Sequence, residues 1–181
     1  MKNISEHILD IVQNSIRAKA DNIEILISET NQEINIHITD NGMGMDKTIL
    51  QKVNDPFFTT RTTRKVGLGI PLLNQHAEQS GGWLKIISEK GEGTKLTAKF
   101  LKNNIDCLPM GDIYTSIALL ISGNPEQNII FRYKKNDKQY SISSMEIKEI
   151  LEDIPLNNPK VANFLKEMIK ENLENIKVSF N

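Results

Sequence analysis

The sequence predicts an α/β protein of the α+β two-layer kind, a mixed sheet with helices on one face and a small α+β appendage at the C-terminus. Three observations predict it. Residues 22–28 and 33–39 alternate isoleucine with polar side chains, as half-buried strands do. Residues 4–18 repeat apolar side chains at helical spacing. Between and after these stretches, glycines and polar clusters punctuate the chain at turn-like intervals.

Taken in order, Ile4, Ile8, Val12 and Ile16 form one i,i+4 row, flanked by Leu9 and Ile11, with Asp10 and Asn14 a turn apart on the opposite face. Thr30, Asn31 and Gln32 suit a hairpin turn between the first two strands. A short helix is expected over 46–54 and a loop rich in Thr, Arg and Lys over 55–67. A second long helix runs from about Leu68 to Gln79, with Pro71 tolerated in its first turn and Gly81-Gly82 as its stop. Strands follow at 83–88 and 95–101, joined through Lys90-Gly91-Glu92-Gly93. Asn103-Asn104 and Pro109-Met110-Gly111 break the pattern, which sets a boundary between residues 1–103 and 104–181. The later part reads as helix (112–122), hairpin (128–143), helix (145–153) and helix (160–176). Val161, Phe164, Leu165, Met168, Ile169 and Leu173 make an apolar stripe on the last helix, to be buried locally or used by a dimer or partner.

Composition narrows the class. The chain has 181 residues, 39% hydrophobic and 25% charged, as in ordinary globular proteins. A net charge of −1 gives no global field toward nucleic acid or an anionic membrane. No apolar run approaches a membrane span, and the N-terminus lacks a signal-like apolar region, so a cytoplasmic location is the expectation. Cys107 is the single cysteine and cannot form an internal disulfide. His7, His37 and His76 read as surface or internally satisfied histidines.

Four groups of residues carry chemistry. Asp10 and Asn14 share a helix face. The Asn carboxamide oxygen is a hard ligand of the kind Mg²⁺ accepts, and an acid one turn earlier can orient or deprotonate a nucleophile. Asp40-Asn41-Gly42-Met43-Gly44 follows a strand directly. The carboxylate can accept a hydrogen bond from an exocyclic amine, and the glycines let backbone pass close to a flat ring. Arg61, Arg64 and Lys65 precede a helix that opens through Gly67, Leu68 and Gly69, an arrangement suited to a polyphosphate. Gly91-Glu92-Gly93-Thr94 forms a further hairpin turn.

In this order and spacing, residues 4–101 resemble the ATP-binding fold shared by gyrase, heat-shock, histidine-kinase and MutL-type proteins. Asp10 to Asn14 matches the N box, and Asp40-x-Gly42-x-Gly44 the first glycine box. Pro56-Phe57-Phe58-Thr59-Thr60 resembles the F box of histidine kinases, and Gly67-Leu68-Gly69-Ile70 the second glycine box. The resemblance implies Mg²⁺ on Asn14 and the adenine amine on Asp40. It further implies ring clearance at Gly44, packing by Met45, support from Thr94, and a lid over 55–67 that includes Phe57. Asp10 stands where the family's ATPases carry a general-base Glu and is one methylene shorter. Lys65 replaces a glycine common in the kinases. The N box lies so near residue 10 that the expectation is a catalytic domain without the helical hairpin carrying a kinase's phosphoacceptor histidine. Three functions are compatible: a protein kinase acting in trans on a partner, an ATPase switch governing dimerisation or partner binding, and a non-hydrolysing nucleotide sensor.

Overall fold

The structure is a computed structural model that describes residues 1–53 and 68–178. Its centre is a six-stranded mixed sheet in the order β3-β4-β2-β1-β5-β6. The strands are β1 (Asn22–Glu29), β2 (Glu33–Asp40), β3 (Trp83–Glu89), β4 (Gly93–Leu101), β5 (Asn128–Lys135) and β6 (Lys138–Ser143). The helices are α1 (Ile4–Arg17), α2 (Lys47–Lys52), α3 (Gly69–Gln79), α4 (Ile113–Gly123), α5 (Ser144–Leu151) and α6 (Pro159–Val178).

Alternation decides which face is covered. Ile23, Ile25 and Ile27 of β1, Ile34, Ile36 and Ile38 of β2, and Leu96, Ala98 and Phe100 of β4 are all buried. Their neighbours in sequence point to the other face and are half-buried or exposed. The expected strands and helices of residues 4–53 and 68–101 are present with their ends moved by a residue or two. Gly81, at φ 83°, terminates α3 as expected.

Residues 104–178, expected as an appendage, contribute two strands to this same sheet. β5 pairs in parallel with β1 along Asn22–Glu29, and β6 closes a hairpin on β5. A parallel neighbour requires a crossover, and α4 supplies it. The joint is reinforced at one corner, where Glu29 of β1 accepts from the Tyr133 hydroxyl of β5 and pairs with Lys102 Nζ at 2.6 Å. The segment before α4 also closes the N-terminus of α1. Pro109 and Met110 carbonyls accept from the N–H groups of Ile4 and Ser5, both at 2.9 Å, and the Asn3 side chain accepts from Glu6 N–H at 3.0 Å. On α6 the apolar stripe divides. Val161, Leu165, Ile169 and Leu173 are buried, whereas Phe164 is 57% exposed.

Candidate functional site: a cavity between the first helix and the glycine turn

The inward positions of β2 run Ile34, Ile36, Ile38 and then Asp40. The alternation that buries three isoleucines therefore buries a carboxylate at the strand's end, leaving it 8% exposed. Both oxygens are held. Oδ2 accepts from the Ser15 hydroxyl of α1 at 2.6 Å, and Oδ1 accepts from Gly42 N–H at 2.9 Å. A carboxylate in this setting is fixed in orientation and stabilised as an acceptor, because charge-assisted hydrogen bonds replace the water lost on burial.

The glycine turn that follows is wedged between α1 and the β3–β4 turn. A Cβ on Gly42 would lie 2.8 Å from the Ala18 carbonyl oxygen, which itself accepts from Met43 N–H at 2.8 Å. Gly44 has φ 63°, and a Cβ there would come within 1.9 Å of the Glu89 carbonyl oxygen. Both backbone conformation and space demand glycine at this position. Ser88 ties the far side. Its hydroxyl accepts from Met45 N–H at 2.9 Å, donates to the Gly93 carbonyl at 2.8 Å and lies 2.9 Å from Thr94 Oγ1.

At the other end stand Asn14, Arg17, Asp10 and the first turn of α3. The Arg17 guanidinium donates to Asn14 Oδ1 at 3.1 Å. Asp10 lies against α3, where a Cβ on Gly69 would meet its Oδ2 at 1.8 Å. α3 begins at Leu68, which makes no side-chain cap bond among the described residues, so Gly69 and Ile70 carry the N–H groups of its first turn, Pro71 having none.

Between these ends lies a cavity of about 450 Å³. Ile11, Asn14 and Ser15 of α1, Ile38 and Asp40 of β2, and Ile49 of α2 line it, together with Met43 to Met45, Gly69 to Pro71, Ile86, Thr94 and Leu96. An apolar cleft of this size with a few convergent polar groups is the usual form of a small-ligand site.

Of the residues singled out from sequence, Asn14, Asp40, Gly44, Met45, Gly69 and Thr94 line the cavity. Asp10 and Gly42 abut its walls through Gly69 and Ala18, and Leu68 stands at the position just before α3. Phe57, Arg61, Arg64, Lys65 and Gly67 lie outside the described residues. Sequence reasoning missed Ser15, Arg17 and Ser88. Ser15 and Arg17 closely follow Asn14, so proximity was their one signal, and Ser88 gave none. It also left open where His7 lies. This residue is 1% exposed, with Nε2 2.9 Å from His76 Nδ1 across the α1–α3 contact. Burial chiefly, and then His76, lowers its pKa to about 4.

The sequence model of the "Histidine kinase-, DNA gyrase B-, and HSP90-like ATPase" family matches residues 2–104, which include every described residue lining the cavity. The chain belongs to that family. Its relatives include the sensor histidine kinase ZraS of Escherichia coli, 29% identical over 52% of this chain and 20% of ZraS. Sporulation kinase E of Bacillus subtilis is 33% identical over 48% of this chain and 12% of the kinase. The match thus spans a fifth or less of either relative's length. Among solved structures, the Aquifex aeolicus MutL ATPase domain complexed with ADP superposes with a TM-score of 0.53. The identity is 15%, over 83% of this chain and 69% of that domain. The N-terminal domain of a DNA repair protein gives a TM-score of 0.59 at 15% identity, over 78% of this chain and 52% of the other. Both superpositions cover more of the chain than residues 2–104 can supply, so the likeness of fold extends beyond the family match. Membership and fold together support nucleotide binding. Among the described residues, no helix is long and apolar enough to cross a membrane.

Proposed function

We propose that the chain binds Mg-ATP in this cavity and transfers the γ-phosphoryl group to a partner protein in trans, as a signalling component of the cytoplasm. One observation carries the nucleotide assignment. Asp40 is a buried carboxylate facing the cavity with both oxygens fixed by donors, one of them from the glycine turn beside it. The adenine amine would donate to Asp40, with Thr94 and Met45 at the same end. Gly44 would let the ring lie against the backbone.

The phosphates would extend toward Asn14, Arg17 and the start of α3. The residues at that end fit Mg²⁺: Asn14 presents a carboxamide oxygen, and this ion ordinarily takes few protein ligands and fills its shell with phosphates and water. When bound, the ion would neutralise charge on the phosphates. Arg17 now donates to Asn14 Oδ1, and its guanidinium is placed to turn to a phosphate once that oxygen is otherwise engaged. The N–H groups of Gly69 and Ile70 in the first turn of α3 would add to the anion's cradle. The basic residues Arg61, Arg64 and Lys65 are proposed to complete it. Asp10 would act on the attacking group, accepting a proton from a hydroxyl or water.

A second reading, an ATPase switch that resets a dimer or partner complex, is favoured by the location of Asp10. It stands against Gly69 at the phosphate end, where water can serve as acceptor.

The test is incubation with γ-labelled ATP and Mg²⁺, with and without lysate of the source organism. Label in a protein band supports transfer in trans. Free phosphate alone supports the switch. Asp10→Asn is expected to leave ATP affinity within about threefold of normal and to lower either turnover by roughly the 10²–10⁴ typical of losing an acid–base group. Undiminished turnover would remove Asp10 from the reaction, and absence of ATP binding in the parent protein would overturn the whole proposal.

A further inference from the structure

The face of the sheet opposite the helices carries a charge distribution that the net charge of −1 conceals. Residues on this face alternate with the buried ones, so strand register fixes its composition. Lys85 of β3, Lys95 and Lys99 of β4, and Arg132 and Lys134 of β5 all project there. The acids on this face are Glu24 of β1, Glu33 of β2 and Glu89 at the end of β3. The first two are already paired across strands, Glu24 to Arg132 at 2.6 Å and Glu33 to Lys99 at 2.5 Å, and Glu89 stands beyond Ile87 at the edge of the face. Among the described residues, Lys85, Lys95 and Lys134 take part in no ion pair. Lys85, Lys95, Lys99, Arg132 and Lys134 against Glu24, Glu33 and Glu89 give the face a local excess of positive charge in a chain whose net charge is −1.

The other side chains on the face fit a specific kind of polyanion. Trp83, the only tryptophan, lies at one corner and is 45% exposed, opposite Lys99. Ile87, 55% exposed, stands further along the same strand opposite Lys95. Asn35, His37 and Thr39 of β2 and Thr97 of β4 add hydrogen-bonding groups, and Leu26 of β1 and Ile130 of β5 add apolar surface between the cations. The cations are spread from β3 to β5, four strand spacings or about 19 Å. A flat sheet with dispersed cations and an exposed indole is the chemistry of single-stranded nucleic acid binding, in which phosphates meet cations and a base stacks on an aromatic ring. A duplex would hide its bases from Trp83.

We infer that this open sheet face binds single-stranded nucleic acid, with Lys85 and Lys95 contacting phosphates and Trp83 stacking on a base. The site is separate from the nucleotide cavity, which lies under the helix-covered face.

The experiment is anisotropy of a fluorescein-labelled oligothymidylate of about 20 nucleotides titrated with the full chain at several salt concentrations, with indole emission followed in parallel. Binding that quenches Trp83 emission is expected. Lys85→Glu with Lys95→Glu should weaken binding at least tenfold. The milder pair Lys85→Gln with Lys95→Gln should lower the slope of log K against log salt by about 1.4, at roughly 0.7 per phosphate contact on a single strand. Trp83→Ala should weaken binding while leaving that slope unchanged. The control is Lys160→Glu with Lys170→Glu on α6. Three results would overturn the inference: no binding at low salt, equal weakening in the α6 control, or equal quenching of Trp83 by polyglutamate, which would make an acidic polypeptide the occupant. Unchanged melting temperatures confirm that each variant is folded.

Discussion

The two halves of this sheet are built from similar strands for different ends. In residues 4–101 Gly44, Gly82 and Gly93 let backbone approach backbone closely, and buried polar groups are linked across elements. Asp40 bonds Ser15 and Gly42, and Ser88 bonds Met45, Gly93 and Thr94. In residues 113–176 burial is mainly apolar, with Phe131 and Tyr133 among the aliphatics, and the buried Ser116, Ser122 and Ser144 bond backbone groups only. Ile113, Ile117, Leu120 and Ile121 of α4 meet Leu165, Ile169 and Leu173 of α6. The first half spends polar groups and glycines on shaping a cavity. The second covers β1 on its free edge and braces α1 through Pro109 and Met110. Substitutions should therefore separate binding from stability according to the half they fall in.

The largest expected effect is in the first half. Asp40→Asn is expected to reduce ATP affinity by roughly a hundredfold or more in calorimetry, because an amide can present a donor where the adenine amine also donates. Retained affinity would displace adenine from this end of the cavity. The matching change in the second half is Leu165→Ala. With the side chain fully buried, it should cost about 2–5 kcal/mol of unfolding free energy. ATP affinity of the folded fraction should stay near normal. Because β5 is hydrogen-bonded to β1 along the whole of Asn22–Glu29, denaturation should remain a single transition. Two resolved transitions would mean that the halves are joined more loosely than the sheet implies.

What the sequence made legible follows from the same contrast. Alternating isoleucines announced β1 and β2, and the acid and glycines behind β2 announced the cavity, because strand period and turn chemistry are local signals. The place of β5 was not legible. Its own alternation marked a hairpin, yet nothing local in Ile129, Phe131 and Tyr133 says that their neighbour is β1, far earlier in the chain. Ser15 was unreadable for a related reason. On an amphipathic helix it is one more small polar residue until β2 delivers Asp40 to it. The stripe on α6 was legible as a stripe, but which of Phe164 and Leu165 faces inward depends on the roll of the helix against α4.

His7 sharpens the comparison at intermediate size, since it joins α1 to α3 rather than α1 to the second half. Its pKa in the folded protein is lowered to about 4, from an ordinary 6.5. Burial and His76 favour the neutral ring, against Asp10 and Glu6, which favour the charged one. The folded state thus resists a proton that the unfolded chain accepts. Stability is full above pH 6.5 and falls as pH drops toward 4. The loss reaches roughly 2–3 kcal/mol, since each pH unit in that window weakens the fold by about 1.4 kcal/mol. Urea unfolding at about pH 7.5 and about pH 5 checks this. His7→Gln should remove much of the difference between the two conditions, and an unchanged difference would assign the acid sensitivity to carboxylates such as Glu29.

The smallest effect belongs to Phe164, beside Leu165 in sequence and opposite to it in environment. With more than half of its surface in solvent, Phe164→Ser should change unfolding free energy by no more than about 0.5 kcal/mol. If α6 serves only the local core, the mass measured by light scattering should also be unchanged. A fall in mass without loss of stability would instead make the outer side of α6 an interface, and the second half would then have a binding role of its own. The pair of substitutions divides these cases because Leu165 reports on the core alone and Phe164 on the surface alone.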